Sequence, residues 1–151
     1  MSRSSRIFTV LLVPIVVLVA LLAGCGGSGG GSSSSGKLDM VAAEDSWGSL
    51  TQQLGGDRVA VTSLITNPAA DPHDYEPSAE DARTMAGARV AIVNGIGYDQ
   101  WATKLLDASP SPERTVLDIG DLLGLRSGDN PHQWYSPPAA QRVIGQITAD
   151  Y

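Results

Sequence analysis

The sequence predicts an α/β fold, a four-stranded parallel sheet with helices on both faces. Three observations predict it. Short β-branched runs and helix-spaced runs alternate from residue 38 onward. The run VAIVN (90–94) is apolar almost throughout, as in a strand covered on both sides. Each pair of strand-like runs is separated by a helical one, which is the connection parallel strands need.

The elements follow in order. LDMVAA (38–43) reads as a strand. SWGSLTQQL (46–54) reads as a helix, with Ser46 at its N-cap and Gly55 and Gly56 stopping it. VAVTSLI (59–65) is a second strand. SAEDARTMA (78–86) is a second helix, where Ser78 and Asp81 have the spacing of a capping box. VAIVN is the third strand. DQWATKLLDAS (99–109) is a third helix capped by Asp99, with Trp101, Leu105 and Leu106 on one face. RTVLDIG (114–120) is the fourth strand. PAAQRVIGQITADY (138–151) opens a further helix with Pro138 in its first turn. Its apolar face, Val143, Ile144 and Ile147, runs to Tyr151 without a cap, which reads as part of a longer helix; a short terminal helix is the alternative.

The N-terminus reads as a targeting segment. MSRSSR is basic, IFTVLLVPIVVLVALL is apolar, and LAGC (22–25) supplies small residues before a cysteine. Residues 1–24 are therefore expected to be a signal peptide. LAGC resembles the bacterial lipobox, which makes Cys25 the expected lipidation site; a plain membrane anchor is the alternative. Cys25 is the only cysteine, so no internal disulfide can form. Loss of Arg3 and Arg6 with the signal peptide takes the formal charge from -6 to -8. An acidic chain is poorly suited to a nucleic-acid backbone. Residues 25–36 comprise the cysteine and a Gly/Ser tether with an r.m.s. span of roughly 18 Å. Residues 37–137 form the expected folded lobe, and 138–151 the start of the next helix.

The chain has two histidines, and each directly follows a proline. His73 lies in DPHDYEP and His132 in NPHQWYSP, and an aromatic residue follows two positions after each. Proline stiffens both loops and holds Asp71 and Asn130 extended. The predicted topology puts His73 after strand two, Asn94-Gly95 after strand three and His132 after strand four. All three fall at the carboxyl edge of the sheet, where such folds bind ligands. Neutral imidazole suits Zn2+ and neighbouring divalent ions, and metal binding is expected to weaken below roughly pH 6. Two histidines without a ligand are the plainer alternative. Asp71, Asp74 and Glu76 are candidates for supporting His73 from behind.

Enzyme chemistry finds little support. There is no GxSxG elbow, no free cysteine for nucleophilic attack and no glycine-rich phosphate loop after a strand. A zinc hydrolase needs a third ligand and a general base; Asp74 or Glu76 could imitate these, but nothing marks a substrate pocket.

The stretch DPHDYEPSAEDARTMAGARVAIVNGIGYDQW, followed by NPHQWYSP, resembles the zinc/manganese solute-binding lipoproteins of ABC transporters, a group that includes the streptococcal-type adhesion lipoproteins. The resemblance covers residues 38–151 together with the lipobox and tether. It implies two α/β lobes joined by a long helix, with this chain as the N-terminal lobe and 138–151 as the start of that helix. It also implies that His73 and His132 bind Zn2+ or Mn2+ while a second lobe supplies the other ligands. The implied protein is a non-enzymatic receptor, lipid-anchored outside the bacterial cell membrane, that delivers metal to an ABC permease. The alternative within the resemblance is an adhesion lipoprotein with a structural metal or none. Two departures stand out. Ser136 replaces the acidic residue usual before the long helix, though serine also caps helices. GDLLGLRSGDN (120–130) has no histidine, so it offers no argument for zinc over manganese.

Overall fold

The computed structural model describes residues 36–150. The signal segment, Cys25, most of the tether and Tyr151 lie outside the described residues. The elements in chain order are β1 (Leu38–Glu44), α1 (Asp45–Gly55), β2 (Val59–Ile65), α2 (Ala79–Gly87), β3 (Val90–Val93), α3 (Gln100–Ala108), β4 (Thr115–Asp118), α4 (Ile119–Leu123) and α5 (Pro137–Asp150). Short 3-10 turns precede β2 and α5. Among the described residues no helix is long and apolar enough to cross a membrane.

The four strands form one parallel sheet in the order β2-β1-β3-β4. Side chains alternate across it, as a pleated strand requires. Met40, Ala42, Val90 and Ile92 point to one face and pack with Trp47 of α1 and Val143 and Ile147 of α5. Val41, Ala43, Ala91 and Val93 point to the other and pack with Met85 of α2 and Trp101 and Ala102 of α3. The central strands β1 and β3 are thus covered on both sides, which is why β3 and the Met40–Ala43 stretch of β1 are apolar throughout. The inner face of α5 belongs to the same core as the sheet.

The ends of α2 and α3 are tied down by polar groups. Ser78 caps α2 by accepting from the Asp81 N–H, and the Asp81 carboxylate accepts from the Ser78 N–H, completing the expected box. The Arg114 guanidinium donates to the carbonyls of Ala86, Ala88 and Ser109, which are orphan acceptors at the C-terminal ends of both helices.

Two boundaries and one cap differ from the sequence reading. Helix α1 starts at Asp45, with Glu44 rather than Ser46 at the N-cap, and the Glu44 side chain makes no capping bond. The fourth strand ends at Asp118, because the Asp118 carboxylate accepts from the Asp121 N–H and caps α4 where the apolar run had suggested more strand. Asp99 stands at the N-cap of α3 but its side chain does not cap it; it turns back to the end of β3, as described below.

Strand order decides where a site can form. From β1 the chain moves outward to β2, then returns to β3 on the opposite side of β1. The carboxyl ends of β1 and β3 therefore flank the crevice where loops diverge, the usual binding position in such sheets. Glu44 and Asn94 sit there. Replacing the exposed Ser78 with alanine is expected to lower stability by about 1 kcal/mol, read in urea as a shifted midpoint with unchanged slope.

Candidate metal centre

Each histidine is presented by the same local device. The Asp71 Oδ1 accepts from the His73 N–H at 2.9 Å, and the Asn130 Oδ1 accepts from the His132 N–H at 3.0 Å. The proline between contributes no N–H, so the Asx side chain takes the next donor and closes a tight turn. Proline and the acid or amide before it thus act together.

The aromatic residue two positions later anchors each loop. Tyr75 packs on Trp101 with ring centroids 4.7 Å apart, and its hydroxyl donates to Asp81 Oδ2 at 3.1 Å. That fastens the His73 loop to α2 and α3. Trp134 meets Trp47 edge-on at 6.1 Å and lies 5.1 Å from the His132 ring. That fastens the His132 loop to α1.

Tyr98 stands between the two histidines. Its ring centroid is 5.0 Å from that of His73 and 5.6 Å from that of His132, edge-on to both. The separation of the two imidazoles can therefore be no larger than these distances combined. Tyr98 is buried, while both histidines are exposed. Two imidazoles thus face solvent over a fixed aromatic floor. The His132 tautomer follows from its turn. Nδ1 lies 2.9 Å from Asn130 Oδ1, an oxygen that already accepts the backbone N–H. Nδ1 must then carry the proton, which leaves the Nε2 lone pair free for a ligand.

A buried network sets the position of Tyr98. Asn94, 2% exposed, accepts from the Trp47 indole N–H at 3.0 Å and donates through Nδ2 to the Pro131 carbonyl at 3.2 Å. Its own carbonyl accepts from the Gly120 N–H at 3.0 Å. Asp99 accepts from the N–H groups of Asn94 and Gly95 at 2.6 and 2.9 Å. Gly95, Ile96 and Gly97 all have positive φ, at 73°, 47° and 89°. For β-branched Ile96 that conformation is strained. A Cβ on Gly95 would also fall 2.1 Å from Asp118 Oδ1, so only glycine fits.

The electrostatics here are one-sided. Burial, then the neighbouring Asp99 carboxylate, pushes the Glu44 carboxyl up to about 9. Burial also raises Asp99, opposed by the N–H groups it accepts. The Tyr98 phenol is raised by burial and then by Glu44, Asp71 and Asp99. Glu44 is therefore neutral near pH 7 and Asp99 is the group its neighbours stabilise as an anion.

The structure thus brings together His73 and His132, which the sequence singled out, and places Asp71 on the His73 backbone rather than on its ring. Asp74 and Glu76 are exposed, and neither is hydrogen-bonded to His73. Among the described residues no group of three or more His, Cys, Asp or Glu side chains could hold a metal. Sequence reasoning missed Glu44, Tyr98 and the Asn94 network. Asn94-Gly95 was read only as a turn, and a lone Glu at a strand end carries no spacing signal.

Comparison with known proteins decides the family. The family model described as zinc-uptake complex component A, periplasmic, matches residues 40–151. The chain belongs to this family. The iron-binding protein YfeA of Yersinia pestis is 33% identical over 104 residues, 65% of this chain and 33% of the relative. The manganese ABC transporter substrate-binding lipoprotein scaA of Streptococcus gordonii is 30% identical over 133 residues, 74% of this chain and 43% of the relative. The Zn(II)-bound crystal structure of AdcA from Streptococcus pneumoniae superposes with a TM-score of 0.62 at 28% identity, covering 77% of this chain and 27% of that one. The chain spans less than half the length of each. The fold expectation holds, and the family match takes in β2, β3, β4 and all but the first two residues of β1.

Two predictions follow from the buried network. Asn94→Ala strands the Trp47 indole N–H and frees the Pro131 carbonyl, so stability should drop by about 2 kcal/mol or more; hydrogen exchange should rise first in residues 130–135. Glu44 holds a proton in the folded state between about 4.5 and about 9 that the unfolded chain releases. Stability from this site is therefore full below pH 4.5 and declines as pH rises toward 9. Glu44→Gln stays neutral throughout, so it should flatten that decline and gain on the order of 2 kcal/mol at pH 8 in denaturant titrations.

Proposed function

We propose that this chain is the metal-capturing lobe of an extracytoplasmic receptor that binds Zn2+ or Mn2+ for import by an ABC transporter. The observation that carries the proposal is the pair of exposed imidazoles meeting over Tyr98. Membership of the zinc-uptake family supports it.

In this reading His73 and His132 are ligands to one ion. Asn130 holds the His132 Nδ1 proton and directs Nε2 outward. Asp71 and Asn130 shape the two turns. Tyr98 sets the spacing of the rings from below. Two nitrogens fill only half of a tetrahedral shell, so further ligands come from outside the described residues. The related proteins carry names with iron, manganese and zinc, and imidazole nitrogen suits several divalent ions, so the completing ligands select the metal. Residues 1–24 serve as the signal peptide, Cys25 as the lipidated residue and 25–36 as the tether to the outer face of the cell membrane. Residues 37–137 are the metal-binding lobe, and 138–151 begin the helix toward a second lobe. The permease receives the ion; no reaction is catalysed.

An adhesion lipoprotein is the second reading. Uptake separates the two: growth of a deletion strain rescued by added zinc or manganese supports a transport receptor, and indifference to metal supports adhesion. At the residue level, His73→Ala and His132→Ala should each weaken metal binding more than the roughly 10- to 100-fold expected for loss of a supporting contact. Titration calorimetry on the protein with its second lobe present reads this, and unchanged affinity in either variant contradicts the proposal.

A further inference from the structure

Beside the histidine pair lies a cavity of about 380 Å3, a volume suited to a small organic ligand. Among the described residues, neither histidine lines it and no lysine or arginine does. Its polar part is unusual. Glu44 is 5% exposed, and neither of its carboxyl oxygens has a well-aligned hydrogen-bond partner, the Asp99 carboxylate being the polar neighbour that bears on it. The buried hydroxyl of Ser46 is also unpartnered. Buried polar groups are nearly always bonded, and each exception asks for an explanation such as a missing ligand.

The remaining walls narrow the ligand class. Tyr98, Trp134 and Tyr135 line the cavity in series, with centroid separations of 5.9 and 5.7 Å. Tyr135 is 80% exposed despite its size. Aromatic faces attract cations within about 6 Å of the ring centre. The charged groups bearing on Tyr98 are Glu44, Asp71 and Asp99, all acidic, and Asp45 adds a further carboxylate at the rim. A divalent metal would need several good ligands here, and Glu44 is the one buried carboxyl on the wall.

We propose that this cavity is a subsite for an organic cation, an alkylammonium or guanidinium group, seated against Tyr98, Trp134 and Tyr135 with its N–H groups on the Glu44 carboxylate and the Ser46 hydroxyl. A cation there supplies the partners both groups lack. The Glu44 proton is released to solvent as the cation enters, and the cation's charge replaces it. The group can arrive as a free small amine or as the side chain of a lysine or arginine. The histidines do not line the cavity, although Tyr98 and Trp134 serve both places.

The test titrates n-butylammonium and ethylguanidinium chloride into the full chain without metal. The Trp134 indole 1H–15N signal and the Glu44 side-chain 13C signal report binding. The proposal expects saturable shifts with a Kd of about 1 mM. It expects affinity to fall about tenfold or more in Glu44→Gln, and also to fall in Tyr135→Ala, whose exposed position leaves the fold intact. End-blocked lysine and arginine peptides binding more tightly than the free cations identify a side chain as the occupant; the reverse order identifies a small amine. Three results overturn the proposal: no saturation, an equal response to neutral 1-butanol, or undiminished binding by Glu44→Gln.

Discussion

The site depends on one buried amide. Asn94 ends β3 at the crevice between the central strands, and each of its polar groups is used. Through Trp47 it holds α1, through Pro131 the His132 loop, and through Gly120 the start of α4. Neither an aspartate nor an aliphatic side chain can both accept from an indole and donate to a carbonyl. The requirement for asparagine is therefore one of hydrogen-bond complementarity. The strained Gly95–Gly97 turn that follows is kept in place by Asp99 from one side and crowded by Asp118 and Gly120 from the other. Its outcome is a buried Tyr98 ring aimed between the two loops.

The two histidine loops solve one physical problem in the same way. A ligand on an exposed loop loses entropy when it binds unless the loop is already ordered. Here an Asx-proline turn orders the backbone and an aromatic residue two positions on fastens it to a helix. One loop leaves β2 and the other leaves α4, yet both arrive at Tyr98. Converging loops on a rigid sheet can be preordered for an ion while their rings stay open to solvent and to whatever supplies the remaining ligands.

Much of this was legible in the sequence because it rests on short-range rules. The strands VAVTSLI and VAIVN, the Ser78–Asp81 box and the proline-histidine pairs each declare themselves within a few residues. Parallel strand order alone puts both histidines at one edge of the sheet. What escaped was long-range. Asn94 meets Trp47 and Pro131 across 47 and 37 residues, and no local pattern marks such a bond. Asp99 had the position of a cap and was read as one, yet two N–H groups of the preceding turn competed for its carboxylate and won. Glu44 carries no local signal, lying just past the expected strand 38–43, since its burial follows from the tertiary fold.

In the proposed receptor, His73 and His132 serve a single ion. Imidazole 15N NMR during a zinc titration of the full chain tests this most directly. If the claim is right, the Nε2 resonance of His132 and a ring nitrogen of His73 move along one shared binding curve, with one ion per chain, while His132 Nδ1 keeps its proton. Independent curves for the two rings, or a response from one ring alone, would contradict it.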